Sequence, residues 1–533
     1  MKYQTLDTSN FKDYQTALNL DVLAAKILAS KNLSIEAAKA LMEDVPLYDV
    51  KQLPMCKSIL DHFKLVKDLK RRVLICGDYD CDGFCATAIM YNALKNFGVL
   101  TTFEIPDRII DGYGLNTRIV DIANSKRCTT IVCVDNGVKA FEAINYAKSL
   151  GISVIVVDHH AIEKEVECDI LLHPSILDEQ LQNLCGAGLA YLVAQILGTE
   201  TDLHLILAGI ATIADVVSIT NQNRTYVKEA IKLLDEGKAL PIQMLMNDRK
   251  EIDEDKIAFQ IVPKLNSTGR LSDKLIANNT PKYLINQNKE NIEAYATKIT
   301  NLNEYRKNLT TRTLTTAKKQ CNDDSFQVIY DADFHEGLIG LIAGRLCNDY
   351  YKPVAVFTRN KNILKGSIRS VKGVDLRNFF EDYDHDILAY GGHELAAGIA
   401  IKATDLTPLK KYIKTKMATL TPPEAKLDCI KIESDELTFD SINSLKTLRP
   451  FGQDFKLPLF LVTIKVASVL TLSNGAHLKL VSDEGIEVLY FHQGDRKEEF
   501  AEGDEVTVLA KASINEFRGN MKINLMVEEI IKD

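Results

Sequence analysis

The sequence predicts an α/β protein whose first large domain is a doubly wound parallel sheet. Runs of β-branched and apolar residues recur between residues 72 and 157, and segments of helical periodicity alternate with them. Nearly continuous apolar strands of this kind are typical of parallel sheets that helices cover on both faces. The length of 533 residues exceeds what one hydrophobic core supports, so we expect further domains beyond the sheet.

The elements of the first domain are predicted in a regular order. Short N-terminal helices are expected around 23–28 and after Ser34, which is placed to cap the second of them. Strands and helices then alternate, with strands at 73–76, 101–105, 130–134 and 153–157, and helices at 84–94, 117–123 and 140–150. A helical segment over 203–234 follows.

The pattern of predicted secondary structure changes in the second half of the chain. Residues 289–320 are polar, free of proline and compatible with a long connecting helix. A second α/β unit is predicted from about 327 to the Thr421-Pro422-Pro423 break. From about 427 onward, short alternating strands and a hairpin near Gly519 predict a small β-barrel of the OB type, a common reader of single-stranded nucleic acid.

Charge and composition restrict the function classes. The net charge is −9, so any surface that binds nucleic acid must be local. The N-terminus lacks the apolar core of a secretory signal and no run approaches ~18 apolar residues, so we expect a cytoplasmic protein without a membrane span. None of the 11 cysteines forms a C-x-x-C pair. A zinc or iron–sulfur site would depend on Cys76, Cys81 and Cys85 alone, and reduced thiols are the favoured interpretation.

Acidic and imidazole side chains collect where the predicted strands end. Asp78, Asp80 and Asp82 follow the first strand in a tight loop, Asp135 follows the third, and Asp158-His159-His160 follows the fourth. The carboxyl ends of parallel strands meet at one edge of a sheet, where α/β proteins bind ligands. Such a cluster would repel itself unless cations neutralised it, so the sequence predicts a two-metal phosphoesterase site.

The ligand types narrow the choice of metal. Carboxylate oxygens suit Mg²⁺ or Mn²⁺, and imidazole favours Mn²⁺. Asp215 stands in an otherwise apolar segment, where a buried carboxylate needs a partner such as a metal ion. Simpler interpretations stay open: a solvated acidic loop at 78–82, a helix cap at Asp135, and a satisfied buried pair at His159 and His160.

A set of motifs, in this order and spacing, resembles the DHH phosphoesterase superfamily and, within it, the single-strand-specific 5′→3′ DNA exonucleases. The motifs are Asp78–Gly83, Asp135–Gly137, Asp158–His160, Cys185–Gly188, Ala214–Val217, Asn266–Arg270, Gly366–Ser370, Gly391–Gly398 and Arg449–Gly452. The stretches Gly366–Ser370 and Gly391–Gly398 look like the DHH-associated domain. The chain departs from the family pattern at Cys81, Cys85, Ser267-Thr268 and Gln453–Lys456, and the last departure affects the expected junction between barrel and core.

The resemblance implies a role for each residue of the metal site. The catalytic set is Asp80, Asp82, Asp135, His159, His160 and Asp215, in which every residue except His160 is a metal ligand. Asp135 is expected to bridge two divalent ions, Mn²⁺ or Mg²⁺, and His160 to face the scissile phosphate. Asp78 is assigned to the ligand set and Asp158 to the layer behind it, although the pattern does not separate these two roles.

The resemblance also implies a pocket for the 5′ phosphate and for DNA. Its residues are expected to be Arg108, Arg270, Ser367, Arg369, Gly391, Gly392 and His393. Arginine and serine offer a guanidinium fork and a hydroxyl, and a glycine-rich turn at 391–393 would bring backbone amides close to phosphate. Surface ion pairs for the arginines and a packing role for the turn are the simpler alternatives.

Five domains are expected from these motifs and elements. They are an N-terminal helical segment packed on the catalytic domain (1–55), the DHH catalytic domain (56–285), a connecting long helix (286–322), the DHH-associated domain (323–422) and an OB-fold domain (423–533).

The implied activity is metal-dependent degradation of single-stranded DNA from the 5′ end to mononucleotides, in DNA repair and recombination. A monomer is expected, with a helicase and a single-strand-binding protein as candidate partners. Two alternatives stay open: a phosphodiesterase for oligonucleotides or cyclic dinucleotides on the same site, and a non-catalytic DNA-binding replication scaffold. The length and terminal barrel argue against the first, and the complete ligand set argues against the second.

Overall fold

Two compact units divide the chain, and one of them is built from both of its ends. The computed structural model describes residues 2–420, 426–517 and 519–531. The first unit joins the N-terminal residues up to Pro46, the short segment Ser218–Asn221 and the C-terminal domain. The second unit contains Leu47–Val217 and continues from Gln222 through the second α/β domain.

The N-terminal segment is a strand followed by three short helices: β1 (Lys2–Thr5), α1 (Phe11–Leu18), α2 (Val22–Ser30) and α3 (Ile35–Met42). Ser34 caps α3 as predicted, because its hydroxyl accepts a hydrogen bond from the Ala37 amide at 3.1 Å. Helix α2 is apolar on nearly every side, and each residue from Leu23 to Ala29 is buried.

A five-stranded parallel sheet lies at the centre of the second unit. Its strands are β2 (Arg72–Cys76), β3 (Leu100–Glu104), β4 (Cys128–Val134), β5 (Ser153–Val157) and β6 (Ile170–Leu172). Their order is β3-β2-β4-β5-β6, which confirms the predicted doubly wound fold. The winding reverses between β2 and β4, so the crevice that binds ligands in such sheets opens at the carboxyl ends of these two strands.

Helices cover the sheet and lead to the next domain. They are α4 (Cys56–Asp68), α5 (Cys81–Phe97), α6 (Thr117–Ser125), α7 (Phe141–Ser149), α8 (Gly186–Ile196), α9 (Asp202–Ala214), α10 (Asn221–Asp235), α11 (Leu240–Gln243), α12 (Glu254–Lys256), a π-helical turn (Ile257–Ile261), α13 (Val262–Arg270), α14 (Asn279–Leu284) and the long connecting helix α15 (Lys289–Lys318). The single helical segment predicted over 203–234 is wrong: α9 ends at Ala214, and Val216 adopts a left-handed φ of 56°.

The second α/β domain has a mixed sheet in the order β10-β11-β9-β8-β7. Its elements are β7 (Gln327–Tyr330), α16 (Ile339–Tyr350), β8 (Val354–Asn360), β9 (Ile363–Arg369), β10 (Ile387–Gly392), β11 (Ala396–Lys402) and α17 (Leu406–Met417). Only β7 and β8 pair in parallel. The predicted break at Thr421-Pro422-Pro423 lies outside the described residues.

The C-terminal domain is a closed barrel with one extra strand and a short helix. Its elements are β12 (Lys426–Lys431), α18 (Phe439–Ser444), β13 (Leu459–Leu472), β14 (His477–Ser482), β15 (Glu487–Tyr490), β16 (Glu505–Phe517) and β17 (Asn520–Ile531). The order β13-β14-β15-β17-β16 closes because β16 also pairs with β13, which confirms the predicted OB fold.

The N-terminal segment up to Pro46 packs on this barrel, whereas residues 47–55 of the predicted 1–55 segment belong to the second unit. Strand β1 pairs in parallel with β12, which pairs in parallel with β13. Helix α2 contributes Leu23, Ile27 and Leu28 to the same apolar core as the barrel strands. Its one buried charge, Lys26, lies 2.7 Å from Glu436 Oε1. The apolar α2 therefore finds its covering surface about 400 residues later in the chain.

The departure at Gln453–Lys456 is accommodated within the first unit. The Ile219 amide donates to the Gln453 carbonyl at 3.0 Å, and Phe455 is buried with its ring stacked on Phe451. Among the described residues, no helix is both long enough and apolar enough to cross a membrane.

Candidate metal centre

Carboxylates from two strand ends meet at the switch point of the sheet. Asp78 and Asp80 lie between β2 and α5, and Asp135 directly follows β4. One ligand oxygen from each of these three residues lies within 4.8 Å of the others. This is the juxtaposition that the strand order predicts, because β2 and β4 are neighbours whose carboxyl ends point to the same edge.

A second group of ligand atoms adjoins the first through His159. His159 Nε2 lies 3.2 Å from Asp135 Oδ1, 3.5 Å from Asp215 Oδ2 and 3.7 Å from Asp82 Oδ2. Asp215 reaches the site from the end of α9, and His159 from the end of β5. The structure therefore brings together all six residues that the sequence assigned to metal binding, as two adjoining groups that share the Asp135–His159 contact.

Several polar atoms at the centre of the site lack a hydrogen bond. Asp78 Oδ1, Asp135 Oδ1 and His159 Nε2 are buried and make no hydrogen bond among the described residues. Burying polar atoms without a partner is unfavourable, and placing several carboxylates together adds repulsion. The donor set of carboxylate oxygens and one imidazole nitrogen fits divalent ions such as Mn²⁺ and Mg²⁺.

The pKa values of the site residues also favour bound divalent ions. Burial and the neighbouring carboxylates raise the pKa values of Asp78, Asp80 and Asp135, and raise the pKa of Asp215 to about 9. Burial lowers the pKa of His159, which keeps its imidazole neutral and able to bind a metal ion. Without a bound cation, some of these carboxylates must be protonated to reduce their mutual repulsion. A bound cation neutralises them instead.

Asp82 is held in place by the start of helix α8. Its two carboxylate oxygens accept hydrogen bonds from the amides of Gly186 and Ala187, both at 2.7 Å. These amides would otherwise be unsatisfied, and the positive end of the helix dipole also favours the carboxylate. The predicted loop position of Asp82 is wrong: Asp80 is the N-cap, accepting the Gly83 amide at 3.0 Å, and Asp82 lies in the first turn of α5.

Asp135 adopts an unusual backbone conformation. Its φ of 61° lies in the left-handed region, which is uncommon for a residue other than glycine and costs of order 1–3 kcal/mol. The next side chain, Asn136, donates to the carbonyls of Cys76, Gly77 and Val134, and so ties the ends of β2 and β4 together. The surrounding hydrogen bonds thus hold Asp135 in the orientation that the site requires.

Asp158 supports the site without joining either group of ligands. Its Oδ1 accepts from His160 Nδ1 at 2.8 Å and from the His159 amide at 2.8 Å, while Oδ2 accepts from the Val138 amide at 3.0 Å. Burial opposes its charge, but the hydrogen bonds from His160 and the amides outweigh it and lower the pKa of Asp158 to about 2. Asp158 thereby fixes the ring of His160 at the edge of the cluster.

Tyr113 contacts the same centre and was missed at the sequence level. Its hydroxyl donates to the Asp135 carbonyl at 2.8 Å and lies 3.0 Å from His160 Nδ1. The ring meets His160 and Tyr79 edge to face. The flanking glycines, Gly112 and Gly114, indicate a turn in the sequence, but nothing in the pattern indicates that this turn reaches Asp135.

The residues predicted to form a phosphate pocket lie on several elements of the second unit. Arg108 places its guanidinium 4.9 Å from the centre of the Tyr79 ring. Arg270 ends α13. Arg369 ends β9 and donates to Ser367 Oγ at 3.2 Å. Among the described residues none of these arginines pairs with a carboxylate, so the surface ion pairs of the simpler interpretation are not what occupies them.

The glycine-rich segment is a strand end, so the predicted glycine turn is wrong in detail. Gly391 and Gly392 close β10, and the turn follows at 393–395, where the His393 amide donates to the Ala396 carbonyl. A Cβ on Gly392 would lie 2.2 Å from that same carbonyl, which explains the glycine. The ring of His393 stacks at 6.5 Å on His160, so this hairpin does reach the metal centre.

The sequence matches three domain families in the order of the described domains. Residues 72–217 match the DHH family N-terminal domain, residues 323–419 the DHHA1 domain, and residues 429–529 the RecJ OB domain. The chain is 28% identical to the single-stranded-DNA-specific exonuclease RecJ of Bacillus subtilis, over 99% of this chain and 70% of that protein. It is 26% identical to the RecJ exonuclease of Escherichia coli, over 86% of this chain and 87% of that protein.

Solved structures share the fold. The RecJ of Thermus thermophilus in complex with Mn²⁺ superposes with a TM-score of 0.87 at 23% identity, covering 100% of this chain and 79% of that one. A manganese-bound exonuclease RecJ superposes with a TM-score of 0.63 at 25% identity, covering 71% of this chain and 98% of that one.

Proposed function

Because this chain belongs to the RecJ family of DHH proteins, we propose that it is a metal-dependent exonuclease specific for single-stranded DNA. The observation that carries the proposal is the buried cluster of Asp78, Asp135 and His159, whose unpartnered atoms suit divalent cations. When bound there, two Mn²⁺ or Mg²⁺ ions would neutralise the phosphate and generate hydroxide from water near neutral pH.

The other roles in the proposed reaction fall to residues of this chain. Asp78, Asp80, Asp82, Asp135, His159 and Asp215 would hold the ions. His160, which Asp158 orients at 2.8 Å, would present its other ring nitrogen to the scissile phosphate. Burial opposes protonation of His160, but the hydrogen bond to Asp158 outweighs it and raises the pKa of the imidazole, which favours donation to an anionic oxygen.

We further propose that the strand is degraded from its 5′ end to mononucleotides. Arg108, Arg270, Arg369 and Ser367 would hold a terminal phosphate, and a terminal 5′ phosphate carries about −1.5 to −2 charges. A pocket at a fixed distance from the metal ligands would then position the first phosphodiester for hydrolysis. His393 and the end of β10, which lie against His160, would border the path of the strand.

A role in DNA repair and recombination fits this activity, because single-stranded ends arise when duplex DNA is unwound. A helicase and a single-strand-binding protein are the partners that would supply and cover such strands. We propose that the enzyme acts as a monomer in the cytoplasm. The OB domain, a fold that commonly binds single strands, would add affinity for strands longer than the active site.

The proposal is tested with a single-stranded DNA labelled at its 3′ end and incubated with Mn²⁺ or Mg²⁺. We expect labelled fragments that shorten progressively from the 5′ end, and no cleavage after EDTA is added. Asp135→Ala should abolish turnover while leaving strand affinity largely intact, because the arginines still neutralise phosphate. If a 40-mer stayed intact while a dinucleotide was hydrolysed, the protein would instead be a small-molecule phosphodiesterase that uses the same site.

A further inference from the structure

The connecting helix α15 carries an arginine that makes no ion pair with a carboxylate among the described residues. Arg306 is half-buried, and in the part of the chain that the structure describes it forms no ion pair. Its Nε donates to Asn303 Oδ1 at 3.0 Å, and Asn303 is itself buried. The adjacent acid, Glu304, pairs instead with Lys307 at 2.8 Å. A guanidinium that is held in place and partly desolvated without an anion indicates a binding role.

The packing of α15 aims Arg306 at the end of α13. Leu302, Arg306 and Leu309 occur at i, i+4 and i+7, so they share one face of the helix. Leu302 and Leu309 pack with Leu271 and with Leu338 in a small apolar cluster. Leu271 directly follows Arg270, and therefore the face that carries Arg306 lies against the segment that carries Arg270.

The same junction brings in the remaining pocket residues. A Cβ on Gly337 would lie 1.9 Å from the Arg270 carbonyl, so the chain before α16 presses directly on the end of α13. A Cβ on Gly340, in α16, would lie 3.1 Å from Ser367 Oγ and 3.5 Å from an Arg369 nitrogen. The ends of α13 and β9 and the start of α16 thus converge, and α15 closes the junction from a fourth side.

The arginines at this junction repel one another. Burial, followed by the charges of Arg108 and Arg306, lowers the pKa of Arg270 to about 9. Burial lowers the pKa of Arg306 itself, and the nearby charge of Glu304 does not outweigh it. Asp80 favours the charge of Arg270 without outweighing burial, and neither arginine forms an ion pair among the described residues, so a bound anion would relieve the repulsion further. A terminal phosphate, with its near-double charge and three acceptor oxygens, suits several guanidinium groups at once.

We infer that Arg306 is a fourth arginine of the 5′-phosphate pocket and that it helps to select a phosphorylated strand end. The inference deepens the proposed function and rests on it. Asn303 is the positioning residue, because its buried amide oxygen holds the Arg306 fork in one orientation. Lysine would not replace this arginine fully, since an ammonium is a point charge that cannot present two parallel donors.

Affinity in EDTA tests the inference without turnover. A 5′-phosphorylated and a 5′-hydroxyl dT hexamer are titrated into the wild type, Arg306→Gln and Arg306→Lys, and the ratio of the two Kd values is compared. We expect Arg306→Gln to reduce the preference for phosphate roughly tenfold or more, and Arg306→Lys to fall in between. Arg369→Ala is the reference for loss of a pocket residue, and Arg312→Gln, an exposed arginine of the same helix, is the matched control.

A second measurement covers variants that fold poorly. Inorganic phosphate at constant ionic strength should raise the melting temperature of the wild type and of Arg312→Gln, and raise that of Arg306→Gln less. An unchanged Kd ratio in a folded Arg306→Gln would overturn the inference, as would a wild type that does not distinguish the two hexamers. Failure of the exonuclease proposal is recognised separately, as an uncleaved strand in the presence of metal.

Discussion

At the scale of single residues, the site depends on a glycine as much as on its ligands. Gly186 opens α8, and a Cβ at this position would lie 2.5 Å from Asp135 Cβ and 2.7 Å from its Oδ1. Its amide also binds Asp82. Both Asp82 and Asp135 are therefore positioned by a residue that has no side chain and that no ligand pattern would select.

Gly186→Ala is predicted to displace Asp135 and to lower exonuclease activity about 100-fold, because small shifts of a positioned group have effects of this size. Metal affinity should fall roughly 10–100-fold, as measured by Mn²⁺ titration. Gly188→Ala, two residues along the same helix, is the control, since its nearest contact would be 3.3 Å from the flexible Leu184 side chain. Equal activity in the two variants would contradict this account of Gly186.

Most of the candidate ligands could be predicted from the sequence because they follow the β-branched runs of strands, whereas Asp215 follows the apolar helix α9. Asp135 and His159 come directly after strands whose boundaries the pattern indicates to within two residues. Tyr113, Arg306 and the amides of Gly186 and Ala187 could not be found in this way. Their roles depend on where loops and helix ends arrive in space, which local periodicity does not encode.

At the scale of elements, the loop that carries Arg108 and Tyr113 is fastened to the second α/β domain. Lys365, on β9, donates to the Ile109 carbonyl at 3.2 Å and to Glu336 at 2.6 Å. Within the loop, the amide of Asp111 donates to the Asp107 carbonyl at 2.8 Å. Lys365 thus links this loop of the catalytic domain to the second α/β domain beside the site.

Lys365→Met is predicted to loosen this loop. Loss of one hydrogen bond of about 1 kcal/mol should speed exchange of the Asp107, Asp111 and Gly112 amides about fivefold, as followed by hydrogen–deuterium exchange. The preference for a 5′ phosphate should weaken as well, because Arg108 lies in this loop. Lys410→Met, at an exposed position of α17, should change neither property, and unchanged exchange in Lys365→Met would rule out the fastening role.

Element boundaries were predicted well where a strong breaker or cap exists and poorly elsewhere. Ser34 predicted the start of α3, and a proline-free polar run predicted α15. The break between α9 and α10 was missed because Val216 is a β-branched residue, which does not indicate a left-handed turn. Asp215, the proposed metal ligand at that break, offers a functional reason for tolerating the strain.

At the scale of the whole molecule, metal binding and folding are linked through pH. The pKa of Asp215 is about 9 in the folded protein against an ordinary value of 3.8, with burial as the first cause. Its contribution to stability is therefore fully present below about pH 4 and lost as the pH rises through 9. Asp78 and Asp135 are shifted in the same direction.

In EDTA, the free energy of unfolding is predicted to fall between pH 6 and pH 8.5, by at most about 1.4 kcal/mol per pH unit for each such group. Added Mg²⁺ should stabilise the protein more at the upper end of this range, because ions replace the protons. Thermal melts at several pH values measure both effects. Asp215→Asn should reduce the dependence of the unfolding free energy on pH in EDTA, whereas Asp61→Asn, at an exposed site, should leave it unchanged. A pH dependence that added Mg²⁺ leaves unchanged would contradict the linkage.

The first unit is predicted to need both chain ends for its stability. A fragment of residues 424–533 lacks α2, whose Leu23 is completely buried in the shared core. Adding a peptide of residues 1–46 should raise the melting temperature of the fragment by several degrees. The same peptide with Leu23→Asp should have no effect, and equal melting with or without the wild-type peptide would show that the barrel is sufficient alone.

The shared core also sets an order of events during synthesis. Residues 47–423 must be translated before the barrel strands can meet α2. At roughly 5–20 residues per second, this interval lasts on the order of 20–75 s. Throughout it, a helix whose residues from Leu23 to Ala29 are all buried in the finished protein has no barrel to cover it. We therefore expect the nascent chain to expose an apolar N-terminal helix throughout this interval, which makes that helix a candidate chaperone substrate during synthesis.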